Sequence, residues 1–450
     1  MCGIFFSLFS TLDEKAERIK EFVINYKPFL NRGPDGVRYK LIDSNCNRFL
    51  FISSLLSMRG NSKSFQPIVL NDSFLLFNGE IYDGLAINLH ESDSEALSYR
   101  LNRNYSCDNV LEVMSSLKGC YSFVFYHQSS QIIWFGRDVL GRRSLLFSIN
   151  ENKYFSLSSV ALPKHSDAGE FFDLASGGIF AFNVVSNEIT FYAFLPKHIH
   201  PGIHYVQCWE NLCRAFPISF SCKRYNVLNW LQNSILEIEN CRCPPIYIFN
   251  RLLKSENLDF QIYLSKCASK LYALLQTSIL RRTVVTNSNL RSVAVLFSGG
   301  LDSAILAALL HISLPNSIEL DLINVSFSTD SLTFENASDR LTARSTYSEL
   351  KSLNPCRYVN LIEVNVHKDD VIANQPYITN ALLKPSVQNC LMDVGIGSPL
   401  WFAAMGSGVV YHSDPSDLLK QNFVSNIEIS NCCEIHTGFD PLSIVYKVRL

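Results

Sequence analysis

This sequence lacks any cysteine pair with Cys-x-x-Cys spacing, although it contains 14 cysteines in 450 residues. The cysteines that cluster in the middle of the chain are Cys208, Cys213, Cys222, Cys241 and Cys243. Their irregular spacing favours reduced, structural thiols over a disulfide framework, and a zinc site in the cluster is the alternative. This cysteine usage is typical of an intracellular protein.

Long apolar runs and strong charge are missing too. No apolar stretch approaches the roughly 20 residues that cross a bilayer, and the N-terminus lacks the basic start of a secretory signal. The net charge is −2 with 18% charged residues. The chain therefore lacks the excess of positive charge that is typical of proteins that bind nucleic acid. We therefore predict a cytoplasmic protein of two or three globular domains, with neither nucleic acid nor membrane as partner.

The most informative residue that is present is the second. Met1-Cys2-Gly3-Ile4 places a cysteine where removal of the initiator methionine would make it the N-terminus. An α-amine has a typical pKa of about 7.7–8.0, so near neutral pH it can accept the thiol proton, and the thiolate is the attacking form. Cys2 can thus supply both nucleophile and base, although a cysteine near a chain start is common by itself.

Four further motifs follow Cys2 in order. They are Asn31-Arg32-Gly33-Pro34-Asp35, Asn78-Gly79-Glu80-Ile81-Tyr82, Ser92-Asp93-Ser94-Glu95 and Gly136-Arg137-Asp138-Val139-Leu140-Gly141-Arg142-Arg143. Together with Cys2 they resemble the class II, N-terminal-nucleophile glutamine amidotransferase domain of asparagine synthetases. The resemblance implies an αββα glutaminase domain over residues 2–194.

The same resemblance assigns roles to individual residues. It implies that Cys2 attacks the side-chain amide of glutamine, while Asn78 and Gly79 donate hydrogen bonds to the oxyanion. Glu80 and Asp93 would hold the ammonium group of glutamine. Without the resemblance, Asn78-Gly79 is typical of a hairpin turn and Asp93 of a helix cap.

One departure from the family concerns the carboxylate of glutamine. Asparagine synthetases carry an arginine shortly before a Gln-Pro pair, where this sequence has Ser54-Leu55-Leu56. The nearest arginine is Arg59, which is either a displaced substitute or a solvated loop residue.

A glycine-rich loop marks the second half of the chain. The apolar run Ser292-Val293-Ala294-Val295-Leu296-Phe297 leads into Ser298-Gly299-Gly300-Leu301-Asp302-Ser303 and then a helical segment. Glycines let backbone N–H groups approach an anion, and a helix N-terminus favours negative charge, so the loop suits polyphosphate. No Gly-Lys-Ser/Thr follows, unlike in a P-loop kinase. A strand-turn-helix whose Ser and Asp cap the helix is the alternative.

This loop resembles the pyrophosphate loop of ATP pyrophosphatases, which implies ATP and Mg²⁺ as cofactors. Asp302 would help to hold Mg²⁺, and the backbone of Val325 would contact adenine. The residues that the resemblance assigns to ATP are Leu296, Ser298, Gly299, Gly300, Asp302, Ser303 and Val325.

Strand and helix patterns extend this second unit. Strands at 320–327 and 362–366 flank a helical segment at 337–353, in which Leu341, Tyr347 and Leu350 have core spacing. This order predicts a doubly wound α/β domain over residues 259–410. The residues Cys267, Leu271, Leu274 and Leu275 also recur at helical spacing, and predict an amphipathic helix packed on the sheet of this domain.

Both halves in this order match the asparagine synthetase architecture, with fold class α/β and α+β. The resemblance implies release of ammonia from glutamine and ATP-dependent amidation of aspartate through an aspartyl-adenylate. Glutamine and aspartate are then the expected partners, and a homodimer is compatible with the resemblance. Residues 195–258 are predicted to be an interdomain insert.

A second phosphate and metal motif, Ser/Thr-Gly-x-Gly-x-Asp-Glu, is expected after Gly408 but is missing, and residues 411–450 form a divergent tail. We therefore expect a truncated, impaired synthetase domain. A glutaminase without synthesis, or a degraded relative that serves protein interaction, is the alternative.

Overall fold

The computed structural model describes most of the chain. The described residues are 2–10, 15–44, 46–60, 62–88, 90–149, 155–163, 168–194, 219–224, 258–283, 291–329, 331–382, 391–411 and 445–446. The side chains of the mid-chain cysteine cluster lie outside this description. Residues 412–444, where the second phosphate motif is expected, also lie outside it.

The secondary structure alternates short strands with helices in both halves. The strands are β1 (Gly3–Ser10), β2 (Gly36–Ser44), β3 (Asn47–Leu55), β4 (Ile68–Leu70), β5 (Ser73–Asp83), β6 (Lys118–His127), β7 (Ile132–Arg137), β8 (Leu146–Ile149), β9 (Phe155–Ser158), β10 (Phe171–Asp173), β11 (Gly178–Asn183), β12 (Glu188–Ala193), β13 (Ser219–Arg224), β14 (Ser292–Leu296), β15 (Glu319–Ser328), β16 (Val359–His367), β17 (Val409–Val410) and β18 (Val445–Tyr446). The helices are α1 (Lys15–Asn25), α2 (Lys27–Leu30), α3 (Asp93–Asn102), α4 (Cys107–Ser116), α5 (Leu258–Thr283), α6 (Leu301–Ser313), α7 (Ser331–Glu335), α8 (Ser338–Leu353), α9 (Lys368–Leu382) and α10 (Leu391–Ala404).

Two sheets pack face to face in the N-terminal half. One has the order β10-β8-β9-β1-β3-β2 and the other β13-β12-β11-β7-β6-β5-β4. Alternate residues of each strand meet between the sheets, as Ile4 and Phe6 of β1 do with Phe74 and Leu76 of β5. Helix α1 covers the outer face of the first sheet, and α3 and α4 cover that of the second. The described residues of this half thus form the expected αββα layers.

The second of these sheets extends beyond the predicted domain end at residue 194. Its edge strand β13 pairs in parallel with β12, and residues 219–224 come from the predicted insert. The sheet is otherwise antiparallel. The domain boundaries stay predictions, but one strand of the insert completes the N-terminal sheet.

The second half contains a sheet of order β17-β16-β15-β14-β18. The three central strands β14, β15 and β16 are parallel, and the edge strands are antiparallel to them. Helices α5, α6 and α8 pack on one face and α9 and α10 on the other. This is a doubly wound arrangement, so ligands are expected at the carboxyl ends of the parallel strands, where the glycine-rich loop begins.

Helix α5 exists as predicted, but its buried face differs from the predicted one. Leu271 and Leu274 are 59% and 62% exposed, and Cys267 is exposed as well. Burial begins with Leu275 and Ile279, which join the core formed with β14 and α6. Residues 265–274 of α5 are exposed, so their apolar spacing covers no sheet. No helix among the described residues combines the length and apolarity of a membrane span.

Candidate active site

Side-chain alternation directs Cys2 and Asn78 into the same space between the two N-terminal sheets. Ile4 and Phe6 point into this core, and Cys2 continues their alternation. Phe74 and Leu76 point into it from β5, and Asn78 continues that series. Cys2 is 7% exposed and Asn78 is fully buried. The thiol and the amide therefore line the same end of the inter-sheet space.

Hydrogen bonds from Leu56, Arg32 and Ser54 hold Cys2 and its neighbour Gly3. The Leu56 N–H donates to Sγ of Cys2 at 3.4 Å, and the thiol donates to the Leu56 carbonyl at 3.6 Å. Buried Arg32 donates through Nε to the Cys2 carbonyl at 3.3 Å, and Ser54 Oγ accepts the N–H of Gly3 at 3.1 Å. The sequence interpretation gave Arg32 and Ser54 no role, although Arg32 stands in a motif that carried the resemblance.

Gly79 presents its backbone groups to the outer edge of β5. Its register partner Tyr121 on β6 bonds through both N–H and carbonyl to Asp138 on the opposite side, so Gly79 and Tyr121 form a non-hydrogen-bonded pair. Phe77 has the same orientation, because Gln66 bonds its N–H at 2.7 Å and its carbonyl at 2.9 Å. The Gly79 N–H therefore points to the edge that β6 does not occupy.

Asn78 and Gly79 lie inside a continuous strand, so the hairpin turn that this dipeptide alone would predict is wrong. An added Cβ at Gly79 would lie 2.1 Å from the Cys120 carbonyl oxygen and 2.6 Å from Cα of Tyr121, and the φ angle is +158°. Neither polar atom of the buried Asn78 side chain has a hydrogen-bond partner among the described residues. A buried donor such as Nδ2 is costly unless a ligand accepts its hydrogen bond, as an oxyanion would.

Arg59 forms a buried ion pair with Asp93 at 2.9 Å, and the two side chains are 11% and 9% exposed. Arg59 also donates to the Ile81 carbonyl at 3.4 Å, and the Ile81 N–H donates to the Asp93 carboxylate. Arg59 is therefore not a solvated loop residue. Asp93 does not cap α3, since Ser92 is the N-cap and forms a capping box with Glu95.

The electrostatics of this pair are dominated by burial. Burial raises the pKa of Asp93 to about 6, against the lowering effect of the Arg59 guanidinium, and the neighbouring Glu80 carboxylate raises it further. Glu80 in turn accepts from buried Arg143 at 3.4 Å. Two carboxylates, which accept hydrogen bonds, and two guanidinium groups, which donate them, thus meet beside the β5 edge and suit the ammonium and carboxylate of an amino acid.

The glycine-rich loop of the second half has the shape of an anion cradle. Gly299 adopts a φ of +78°, and a Cβ there would lie 2.5 Å from the backbone nitrogen of Ala343 in α8. Ser298 Oγ accepts the N–H of Gly300 at 3.3 Å and lies 3.4 Å from Ser303 Oγ. Gly300 is the N-cap of α6 and offers no side-chain cap, so the first-turn N–H groups suit a phosphate.

The remaining residues assigned to ATP lie around this loop. Leu296 ends β14 and Val325 lies in β15, while exposed Asp302 stands in the first turn of α6. No group of three or more His, Cys, Asp or Glu side chains that could hold a metal ion occurs in the part of the chain that the structure describes. Mg²⁺ commonly uses one or two carboxylates together with substrate phosphates. Asp302 therefore fits Mg²⁺ when phosphate supplies the other oxygens.

Comparison with known proteins identifies the N-terminal domain. Residues 1–213 match the family model described as glutamine amidotransferase domain. These residues thus carry a glutamine amidotransferase domain, and the chain as a whole is similar to asparagine synthetase-like proteins.

Particular relatives carry the name that the architecture suggests. Asparagine synthetase domain-containing protein 1 of Bos taurus is 25% identical, with 92% of this chain and 75% of the relative covered. The glutamine-hydrolyzing asparagine synthetase of Cricetulus griseus is 21% identical, with 94% and 67% covered. The resemblance stated from the sequence motifs is confirmed.

Solved structures give a weaker likeness. The glutamine phosphoribosylpyrophosphate amidotransferase of B. subtilis has 16% identity over 41% of this chain and 48% of its own, with a TM-score of 0.32.

Proposed function

We propose that the N-terminal half hydrolyses glutamine at Cys2, and that the released ammonia serves an ATP-dependent amidation of aspartate in the second half. The observation that carries the first part is the buried Arg59–Asp93 pair at Ile81. This pair lies on the same β5 edge as the Gly79 N–H, two residues and about 7 Å away along the strand. That span matches the reach of glutamine from its ammonium group to its side-chain amide.

The chemistry follows from the positions of these groups. Arg59 binds the glutamine carboxylate, and Asp93 with Glu80 binds the ammonium. Once Met1 is removed, the Cys2 amine takes the thiol proton, and the thiolate attacks the amide carbon. Asn78 and the Gly79 N–H stabilise the oxyanion, and the protonated amine supplies the proton with which ammonia leaves. Water then hydrolyses the thioester to glutamate and regenerates Cys2.

The second part of the proposal rests on the glycine-rich loop. Ser298, Gly299, Gly300 and Ser303 would hold the phosphates of ATP, which supplies the energy to activate a carboxylate when bound. The close approach of Gly299 to α8 supports this part, because a loop that served only as a connection would not require a residue without Cβ there.

Two assays on the full chain test the two parts separately. We expect ammonia and glutamate from glutamine, and weak or absent aspartate-dependent exchange of pyrophosphate into ATP, because the second phosphate motif is missing from the sequence. Ammonia release without exchange would identify a glutaminase only. Exchange at the rate of a complete synthetase would contradict the predicted impairment. Failure of both assays, with no glutamine binding, would favour the interaction-protein alternative.

The pKa of Asp93 predicts how glutamine binding depends on pH. Asp93 must be ionised to bind the ammonium group, and its pKa is about 6. We expect the dissociation constant of glutamine to be constant above pH 7 and to rise about tenfold per unit below pH 6. Calorimetric titration of the Cys2→Ala variant from pH 5 to 8 measures this without turnover.

Two variants control this measurement. Asp93→Asn should bind glutamine weakly and without the pH step, since its amide does not titrate. Arg59→Leu should weaken binding about tenfold to a hundredfold at pH 7.5, because a charge-assisted hydrogen bond is lost, whereas Arg59→Lys should recover part of it. A pH step that persists unchanged in Asp93→Asn would assign the titration to another group.

A further inference from the structure

The end of β5 that carries the glutamine-binding residues contacts helix α5 of the second half. Asp83 accepts from Arg281 at 3.2 Å and from Lys118 at 2.9 Å. The guanidinium of Arg282 lies over the ring of Tyr82, 4.9 Å from its centroid. The two halves therefore meet two residues beyond Glu80.

Beyond Phe77, this end of β5 pairs with a strand on one edge only among the described residues, namely with β6. On the outer edge β4 pairs only with residues 73–75 of β5, and Gln66 binds Phe77, so the strand neighbour on that edge ends before Asn78. On the inner edge the register with β6 shifts between Ile81 and Asp83. Such a bulge interrupts the ladder and leaves one residue, Tyr82, without a register partner.

Side-chain contacts hold Tyr82 instead of ladder bonds. Its hydroxyl donates to Sγ of Cys120 at 3.8 Å, and Cys120 is the register partner of Glu80. Its ring is covered by Arg282. A displacement of the Tyr82 ring is thereby coupled to the strand segment that places Glu80 and the Gly79 N–H.

The end of helix α5 that makes this contact is packed into the core of the second half. Its last turns enter the second core through Ile279, and Gln276 donates to Ser313 of α6 at 3.1 Å. Arg282 donates a hydrogen bond to the Ser278 carbonyl at 3.0 Å, which fixes its side chain against the helix. Helix α6 begins at the glycine-rich loop, which is the candidate ATP site. The two arginines therefore lie on a helix, α5, that packs against α6.

We propose that Arg281 and Arg282 of the second half are positioning residues that order residues 78–83 of β5 for glutamine. The proposal rests on the proposed glutaminase function. Arg282 carries more of the effect, since the Arg281–Asp83 pair is about 40% exposed on both sides and such surface pairs contribute little. A cation over an aromatic ring that is partly desolvated contributes more.

The test measures order and turnover on the full chain. In Arg282→Ala we expect amide hydrogen exchange in residues 78–83 to accelerate about tenfold and KM for glutamine to rise about fivefold, with kcat changed less. Arg282→Lys, which keeps a cation over the ring, should restore most of both values. Lys266→Ala, an exposed position on the same helix, is the matched control and should change neither.

A double-mutant cycle with Tyr82→Leu completes the test. The combined variant should be no worse than Tyr82→Leu alone, because the contact between Arg282 and the ring is then already lost. Additive effects of the two substitutions would overturn the proposal, as would unchanged amide hydrogen exchange in Arg282→Ala. Faster amide hydrogen exchange with an unchanged KM would contradict the positioning role, because the contact would then be structural only. If the wild type hydrolyses no glutamine, the proposed function fails, while the exchange data still decide whether α5 orders β5.

Discussion

Replacing Cys2 with alanine is expected to lower kcat for glutamine hydrolysis by at least about a thousandfold, because no other group can form the thioester. Cys2 is buried at the inter-sheet space that Asn78 also faces. Glutamine should still bind, since the Arg59–Asp93 pair is untouched. The measurement is ammonia release at saturating glutamine, together with the intact mass after reaction with a diazo-ketone norleucine.

Cys107 offers a matched control for Cys2. It is an exposed cysteine in the same half of the chain, and Cys107→Ser should keep both turnover and labelling. In the wild type we expect a single adduct, mapped to an N-terminal Cys2 that has lost Met1. Labelling that survives in Cys2→Ala would contradict the assignment of Cys2 as the nucleophile. So would a chain that keeps Met1 and still reacts with the diazo-ketone norleucine.

Replacing Arg340 with leucine is expected to lower the free energy of unfolding of the second half by about 3–5 kcal/mol, because Glu363 would keep only the partly exposed Arg344 and the buried Asn324 would lose its hydrogen-bond donor. Arg340 is fully buried and donates to Glu363 at 2.8 Å, to Asn324 at 2.7 Å and to Asn365 at 2.9 Å. Asn324 in turn donates to the Phe297 carbonyl at the start of the glycine-rich loop. Denaturant unfolding gives the magnitude, and hydrogen exchange in β15 and β16 assigns it to this sheet.

Arg344 is the natural comparison for Arg340. It also binds Glu363, at 2.6 Å, but its side chain is 20% exposed. Water can replace part of its interaction, so Arg344→Leu should lower the free energy of unfolding by about 1–2 kcal/mol. Equal losses in the two variants would mean that burial does not govern this network.

Element positions in the second half followed closely from local patterns. The strands predicted at 320–327 and 362–366 are Glu319–Ser328 and Val359–His367, and the helix predicted at 337–353 is Ser338–Leu353. Such runs carry their own periodicity and turn signals, so neighbouring residues suffice to find them.

Core membership was less predictable than the elements. Tyr347 and Leu350 are buried as predicted, but Leu341 is 52% exposed and its neighbour Arg340 is fully buried. A buried guanidinium is stable only where acceptors from other strands meet it. The pattern of one helix does not contain Glu363, Asn324 or Asn365, so it assigns the core position to the leucine.

The sequence by itself determined the position of Cys2, the glycine-rich loop and the order of the two halves, because each depends on a few adjacent residues. Only the tertiary structure decided that Arg59 meets Asp93, that Arg32 holds Cys2 and that Arg282 reaches Tyr82. These contacts join segments between 30 and 200 positions apart. Their geometry arises when whole sheets pack, since ion pairs and ring contacts depend on where distant backbones come to lie.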